Sequence, residues 1–440
     1  MPAPPAAPPG SSETLPRAAT APLPRPRRGR RLRPALGALC LAAILLPAVW
    51  FLTPIGDADP VHQLARPQAF DLVAWETSQL GARLPGLLHA LVDPPAADAP
   101  LATPDEAAAV HEFFTAVQRW QQAERRGAPA AEVERLRADW QATRPPAEQA
   151  IARALGVLAV REGLTTSVGP AHLLLPPPSF LVGSPPRVLI VSPRDRVEVA
   201  SSVLLEPDGS VADAEALEDA VAARGESGLV VTIGGIATYP AIVPLHADPY
   251  ETLSAIAHEW LHGYLIFHPL GRAYFSSYDG RSLNETVAEL GGLELGRALA
   301  AAYGYPARRT APRDPSAGEG GQDAPARFDF RREMRATRLH LDELLAAGQV
   351  DQAEQYLEAR RQEFVAAGYP IRKLNQAYFA FYGSYGDSAA AVSPLNEWVR
   401  QLRAHSDTFG GFLRRVAQMT TPADVRAALD RDAARDGAGA

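Results

Sequence analysis

The pentapeptide His-Glu-Trp-Leu-His at residues 258–262 restricts this part of the chain to one kind of local structure. On an α-helix, side chains four residues apart project from the same face, so His258 and His262 could bind one metal ion. Glu259 directly follows the first histidine and would lie beside any water that the ion holds. The spacing therefore predicts a helix that carries two metal ligands and a general base.

The flanking residues predict where this helix begins and ends. Asp248 suits the N-cap, Pro249 suits the first helical position, and Glu251 lies three residues after the cap, as in a capping box. No proline interrupts residues 252–267, and Pro269 should stop the helix. The alternative is an ordinary buried helix whose histidines share a face by chance. That interpretation does not explain the acid between them.

The arrangement H-E-x-x-H is typical of zinc hydrolases, chiefly metalloproteases, whose sites have three protein ligands and an open position for water. Two residues could supply the third ligand. One is His268, ten residues after His258, where the metzincin pattern has its last histidine. That pattern requires a glycine at the turn, and Leu265 occupies its position here. We therefore expect His268 to be the last residue of the helix.

The other candidate is Glu285, in the segment Asn-Glu-Thr-Val-Ala-Glu at residues 284–289. With this segment, residues 248–303 resemble the gluzincins, the thermolysin-like metalloproteases, which follow H-E-x-x-H with a helix carrying N-E-x-x-[SA]-[DE]. The resemblance implies that Glu285 is the third ligand and that Glu289 hydrogen-bonds the first histidine. Alternatively, Ser282 and Glu285 form a capping box at a helix start, and Glu289 is an ordinary surface acid.

The resemblance also implies a function. The protein would be a zinc-dependent metallopeptidase in which His258, His262 and Glu285 hold Zn²⁺ and Glu259 is the general base for cleaving a peptide or protein substrate. Gluzincins have a sheet edge before the active-site helix, and residues 227–239 form a β-branched run there, along which an extended peptide could pair. In gluzincin aminopeptidases this strand carries an acid that binds the free amine. The run contains none, which argues against exopeptidase specificity.

A donor to the developing oxyanion is usually Tyr or His in this family. Five downstream residues are candidates, and the sequence does not choose among them: Tyr378, Tyr382, Tyr385, His340 and His405. Two other functions also fit the same motifs. One is a non-catalytic extracellular binding or assembly protein with a gluzincin-like metal site, and the other is a zinc hydrolase that acts on something other than peptides.

The N-terminal residues predict a membrane anchor. Residues 1–33 are rich in Pro and Arg, which predicts a disordered basic cytoplasmic tail. Residues 34–55 carry no charge and are long enough for one transmembrane helix. The preceding arginines favour an N-terminus inside. A cleaved signal peptide would have a shorter apolar core and a small-residue exit. We therefore expect a single-pass cell-membrane protein, in contact with the lipid bilayer through residues 34–55, whose catalytic domain is extracytoplasmic.

The amino-acid composition excludes some other classes of protein. Cys40 is the only cysteine, so no intrachain disulfide can form and the chain after it has no thiolate for zinc. The chain has 43 Lys and Arg against 50 Asp and Glu, and a cluster of arginines lies before residue 34, so the remainder is more acidic still. No basic patch or nucleic-acid motif is present there, and we do not expect a nucleic-acid partner.

Beyond residue 59 we expect an α+β fold, mostly helical, with a small mixed or antiparallel sheet beside the helix of the two histidines. The predicted regions are a helical region (60–165), a strand-rich region with the zinc-site helices (166–304), a flexible loop (305–326), a helical region (327–430) and a disordered tail (431–440). Within them we predict helices at 61–92, with breaks at Pro67 and Pro85, and at 104–126 and 130–162, a helical hairpin at 328–368, and strands at 187–191, 198–205 and 229–238.

Overall fold

The computed structural model describes residues 59–168, 171–305, 328–386 and 388–438. The protein has a mixed α+β fold, mostly helical with small sheets, as the sequence predicts. Its helices are α1 (Pro60–Ala65), α2 (Leu72–Val92), α3 (Pro104–Arg125), α4 (Ala130–Arg161), α5 (Val211–Ala222), α6 (Pro249–Leu265), α7 (Pro269–Ser276), α8 (Tyr278–Ala302), α9 (Phe330–Ala346), α10 (Val350–Ala366), α11 (Gln376–Tyr382), α12 (Leu395–Ala404), α13 (Phe409–Val416) and α14 (Pro422–Ala438). Its strands are β1 (Thr166–Val168), β2 (Ala171–Leu173), β3 (Phe180–Gly183), β4 (Arg187–Pro193), β5 (Ser201–Leu205), β6 (Glu226–Thr232) and β7 (Ala241–Pro244).

The three-stranded sheet has the antiparallel order β5-β4-β6, and helices cover both of its faces. Successive side chains of a strand point to opposite faces. In β4, Val188 and Ile190 join the core formed with α9, α10 and α11, whereas Leu189 and Val191 join the core formed with α1 and α5. Strand β6 lies at one edge of this sheet.

The strand predicted at residues 229–238 differs from the one observed. Strand β6 begins earlier, at Glu226, and ends earlier, at Thr232. Gly235 then has a φ of 150°, and Ile236 forms only an isolated bridge with Ile242. Two further pairs, antiparallel β1–β2 and parallel β3–β7, were not predicted. Their strands have only three or four residues each, which is too short to display an alternating pattern.

Helices α6 and α8 approach closely because α8 presents glycines to α6. A Cβ on Gly292 would lie 2.9 Å from the Cβ of His258, and one on Gly296 would lie 2.6 Å from the Cα of Ser254. Close-packed interiors have no room for a methyl group at such distances. The two glycines therefore bring the helix of both histidines against the helix of Glu285.

Several predictions about helix ends are resolved by the structure. The predicted break at Pro67 is present as a 3-10 turn, but α2 continues through Pro85 without a break. The tail predicted to be disordered from residue 431 is helical as far as Ala438. Asp432 anchors it, because its carboxylate accepts a hydrogen bond from Arg415 Nη1 at 2.7 Å.

The predicted single-pass membrane location is contradicted. No helix within the described ranges combines the length and the apolar character that a bilayer crossing requires. The longest, α4, carries charged residues along much of its length. The span predicted at residues 34–55 lies outside the described residues, as do the tail at residues 1–33 and most of the loop predicted at 305–326.

Candidate metal centre

Helix α6 carries both histidines, and it begins where the flanking residues predict. The Asp248 carboxylate accepts a hydrogen bond from the backbone N–H of Tyr250 at 2.9 Å, and Pro249 occupies the first helical position. The helix ends at Leu265, and His268 is the N-cap of the next helix instead of the last residue of this one. The prediction for His268 is therefore wrong, because Pro269 starts a new helix directly after the old one.

His268 also takes no part in the metal group. Its ring packs on the ring of Tyr264, with 4.7 Å between the centroids. Among the described residues, the group that could hold a metal ion consists of His258, His262 and Glu285. The structure thus brings together the three ligands that the resemblance implies.

Glu285 lies inside helix α8, not at its start. The helix begins at Tyr278, and the N-cap is Ser277, whose hydroxyl accepts a hydrogen bond from the backbone N–H of Gly280 at 2.9 Å. Ser282 lies within the helix, where its carbonyl accepts a hydrogen bond from the Thr286 hydroxyl at 2.7 Å. The alternative capping box is therefore excluded, and Glu285 is buried against α6 with 5% of its surface exposed.

The three candidate ligand atoms form a compact triangle. The Nε2 atoms of His258 and His262 are 2.9 Å apart, and Glu285 Oε2 lies 3.6 Å from the first and 3.5 Å from the second. Ligand atoms about 2.0–2.1 Å from a tetrahedral zinc ion are separated by about 3.3 Å. Glu285 Oε2 is also shielded from water and has no hydrogen-bond partner among the described residues. Buried polar atoms normally have a partner, and a cation on this triangle would supply one.

The other nitrogen of each imidazole faces an acceptor. The Nδ1–H of His262 can donate to Asn284 Oδ1 at 2.6 Å, and Asn284 in turn donates from Nδ2 to the carbonyl of Leu270 at 3.4 Å. His258 Nδ1 lies 3.5 Å from Glu289 Oε2. Such partners fix the tautomer and ring orientation of metal-binding histidines. Both Nε2 atoms are consequently left for the metal, and Asn284 is a partner to which the sequence had assigned no role.

Glu259 lies next to this triangle and is 5% exposed. Its carboxylate packs on Gly235, where a Cβ would come within 2.7 Å of Glu259 Cδ. No hydrogen bond to the Glu259 carboxylate is present in the described part of the chain. Burial raises the pKa of Glu259, while His258 and His262 act in the opposite direction. The carboxylate is thus held in place by packing and remains free to accept a proton.

The ligand groups have strongly shifted proton affinities. Burial alone would raise the pKa of Glu285, but the neighbouring His262 and His258 lower it well below its ordinary value. Burial alone would lower the pKa of His258, but Glu285 and Glu289 raise it well above its ordinary value. Opposite charges in a buried cluster stabilise each other. An imidazole binds a metal in its neutral form, so a cation bound to this triangle would replace the proton of His258.

Two tyrosines adjoin the group. The Tyr274 hydroxyl donates a hydrogen bond to Glu285 Oε1 at 3.2 Å, and burial raises the pKa of that hydroxyl. No sequence pattern had singled out Tyr274. Tyr385 lines the same cleft as Glu285, Tyr274 and Glu259. Burial raises the pKa of Tyr385, and these three neighbours raise it further.

The site opens into a cleft of about 2230 Å³. Its walls include the end of β6 with the following Gly-Gly turn, the metal group, and Tyr378, Tyr382 and Tyr385. The two histidine candidates for oxyanion binding lie elsewhere. His340 contacts Glu343 and Tyr356, and exposed His405 contacts the carbonyl of Gln401. The structure therefore brings only the tyrosine candidates to the cleft.

Comparison of the chain with known proteins gives no match to a family model, to a curated protein or to a solved structure.

Proposed function

We propose that this protein is a zinc-dependent metallopeptidase with a gluzincin-like site that hydrolyses bonds of a peptide or protein substrate. The proposal depends chiefly on Glu285 Oε2, a buried oxygen without a hydrogen-bond partner among the described residues, 3.5 and 3.6 Å from the two Nε2 atoms. Two imidazoles and one carboxylate leave a fourth position open, as in catalytic zinc sites. Closed structural sites use four protein ligands instead.

Zinc held by His258, His262 and Glu285 would lower the pKa of a water molecule and polarise the scissile carbonyl. Glu259 would transfer the proton of this water. This carboxylate accepts the proton of the attacking water and later donates it to the leaving amine. Its position next to His258, and its lack of a competing hydrogen bond in the described chain, support this role.

Tyr385 is the best placed donor to the developing oxyanion. It lines the cleft together with Glu285 and Glu259, whose charges contribute to its raised pKa. Its hydroxyl makes no hydrogen bond to any residue that the structure describes. The hydroxyl of Tyr274, by contrast, is already bonded to Glu285 Oε1. A donor without another partner can bind the oxygen as its charge develops.

The edge strand β6 supports a peptide as the substrate. Residues of β6 line the cleft together with the metal group, and only one side of this strand is paired within the three-stranded sheet. At Gly228 and Val230 the outward backbone groups of β6 already bond to the side chains of Asn375, Glu218 and Arg372. An extended peptide could therefore pair through its backbone only at the Thr232 end of this edge. It would then run past Gly235, which contacts Glu259.

The proposal can be tested with the full-length protein. We expect about one zinc ion per chain and cleavage of unstructured peptides. Glu259→Gln should keep the zinc and lose at least about 100-fold in kcat/KM. Glu251→Gln is the matched control, because this acid lies in the first turn of the same helix and is exposed. A zinc-free wild type, or an unaltered rate for Glu259→Gln, would contradict the proposal.

A further inference from the structure

Arg281 occupies an unusual position in the cleft wall. It lies on α8 one turn before Glu285, and it is half-buried and lines the cleft. Its guanidinium carbon lies 5.2 Å from the ring centroid of Tyr274, the tyrosine that donates to Glu285. Only one side chain thus separates the guanidinium from the metal group.

The Arg281 guanidinium has no acidic partner among the residues that the structure describes. Its Nε is shielded from solvent and makes no hydrogen bond within the described residues. Glu285 is one helical turn away from Arg281, but its Oε1 accepts a hydrogen bond from the Tyr274 hydroxyl. The ring of Tyr274 holds the guanidinium by a cation–π contact instead. A shielded guanidinium N–H without an acceptor costs free energy of folding. Such groups are rare in folded proteins, and each one calls for an explanation, such as a ligand.

Other cations of the cleft differ from Arg281. Arg372 Nη1 donates to Glu218 Oε2 at 2.8 Å, and Lys373 Nζ donates to the same oxygen at 3.3 Å. Arg297 also lines the cleft, but its side chain is exposed, so water can accept its hydrogen bonds. Arg281 thus combines partial burial, proximity to the metal group and the absence of an acidic partner in the described chain.

We propose that Arg281 binds a carboxylate of the substrate, either the C-terminal carboxylate of a peptide or an acidic side chain. This inference rests on the proposed peptidase function and specifies its substrate class. A guanidinium can bind a carboxylate through two parallel hydrogen bonds. The Tyr274 ring would hold its plane in one orientation.

The position of Arg281 limits where that carboxylate lies. One helical turn separates the backbones of Arg281 and Glu285 by about 6 Å along the helix axis. An extended peptide advances about 3.3 Å per residue. Because the ring of Tyr274 alone separates the guanidinium from Glu285, the carboxylate belongs to a residue within a few positions of the scissile bond. The enzyme would accordingly favour substrates with an acidic group or a chain end close to the cleaved bond.

Inhibitor binding tests this inference separately from catalysis. The probe is a dipeptide with a zinc-binding hydroxamate at one end and a free carboxylate at the other, compared with the same compound ending in a carboxamide. A second pair has an amidated end and carries either Asp or Asn. Dissociation constants are measured on the zinc-loaded full-length protein, on Arg281→Gln, on Arg281→Lys, and on Arg297→Gln as the control.

We expect the wild type to bind the carboxylate member of at least one pair about tenfold more tightly or better. Preference within the first pair identifies the C-terminal carboxylate, and preference within the second identifies an acidic side chain. Arg281→Gln should remove the preference, Arg281→Lys should keep part of it, and Arg297→Gln should keep all of it. Retained zinc and carboxamide binding in Arg281→Gln show that the variant is folded.

The outcomes separate the two proposals. Tight binding of all compounds without a carboxylate preference, or an unchanged preference in Arg281→Gln, overturns the role of Arg281 and leaves the peptidase function intact. A carboxylate preference in a protein that cleaves no peptide overturns the peptidase function alone. Failure of every hydroxamate to bind the zinc-loaded protein overturns both.

Discussion

His262 and Asn284 are joined by a hydrogen bond of 2.6 Å between the imidazole Nδ1 and the amide Oδ1. Because the amide oxygen can only accept, the imidazole must donate from Nδ1, and its Nε2 is left without a proton for a metal. The bond connects α6 to α8 directly beside Glu285. Asn284 thus couples the orientation of one ligand to the helix that supplies another.

Replacing Asn284 should weaken metal binding. Asn284→Ala removes the acceptor for His262 Nδ1–H, and loss of such a partner lowers metal affinity by about 10–100-fold. Asn284→Asp keeps an acceptor oxygen, so its zinc affinity should remain closer to that of the wild type. Zinc affinity is measured by competition with a chelator. Equal affinities for Asn284→Ala and the wild type would show that the bond has no such role.

Gly235→Ala should impair cleavage without removing zinc. A Cβ at this position would overlap the Glu259 carboxylate, and a φ of 150° is unfavourable for alanine. Displacing a catalytic group by about 1 Å can cost about 100-fold in rate. Gly234→Ala is the matched control, because a Cβ there would meet nothing within 4 Å. Peptide cleavage and bound zinc are measured for both variants, and equal activities would refute the assigned contact.

The two tyrosines next to Glu285 should behave differently. Tyr385→Phe removes the proposed oxyanion donor, so kcat should fall by about 100–1000-fold while zinc binding is unchanged. Tyr274→Phe removes the hydrogen bond to Glu285 Oε1, so it should reduce zinc affinity. Measuring kcat, KM and zinc affinity for both separates the roles. Loss of zinc from Tyr385→Phe with normal binding by Tyr274→Phe would reverse the assignment.

Acid should destabilise the fold through Glu218. This buried carboxylate accepts hydrogen bonds from Arg372, Lys373 and the backbone N–H of Val230. Burial alone would raise the pKa of Glu218, but these partners lower it below 4.5. A group with a lowered folded-state pKa stabilises the protein above its unfolded-state pKa and loses this effect as the pH falls through the folded-state value.

Glu218→Gln should therefore lower the free energy of unfolding at pH 7 by about 1.5–3 kcal/mol. The difference from the wild type should shrink as the pH falls from about 4.5, the unfolded-state value, through the lowered folded-state pKa of Glu218. Urea unfolding at both pH values measures this difference, with Asp219→Asn as an exposed control on the same helix. A difference that grew on acidification would contradict the assignment.

The local part of the site could be predicted from the sequence. The spacing of His258 and His262 defines a helical face, and Glu285 and Glu289 are related by the same period. The start of α8 could not be predicted in this way, because Ser277 and Ser282 are both acceptable N-caps. In the structure Ser277 is the N-cap, and the first turn packs on α7, where a Cβ on Gly280 would overlap the carbonyl oxygen of Ala273.

Contacts between distant segments escaped prediction for a related reason. The approach of Gly235 to Glu259, and of Arg281 to Tyr274, depends on how a loop and three helices pack together. No periodic pattern in the sequence encodes such an arrangement. The short strands β1, β2, β3 and β7 were missed because their pairing partners, and not their composition, make them strands.

The central claim is that His258, His262 and Glu285 hold one zinc ion. The most direct measurement is anomalous diffraction at the zinc absorption edge from crystals of the zinc-loaded protein. We predict one peak about 2.0–2.2 Å from His258 Nε2, His262 Nε2 and a carboxylate oxygen of Glu285. A peak at other residues, or none at this triangle, would contradict the account.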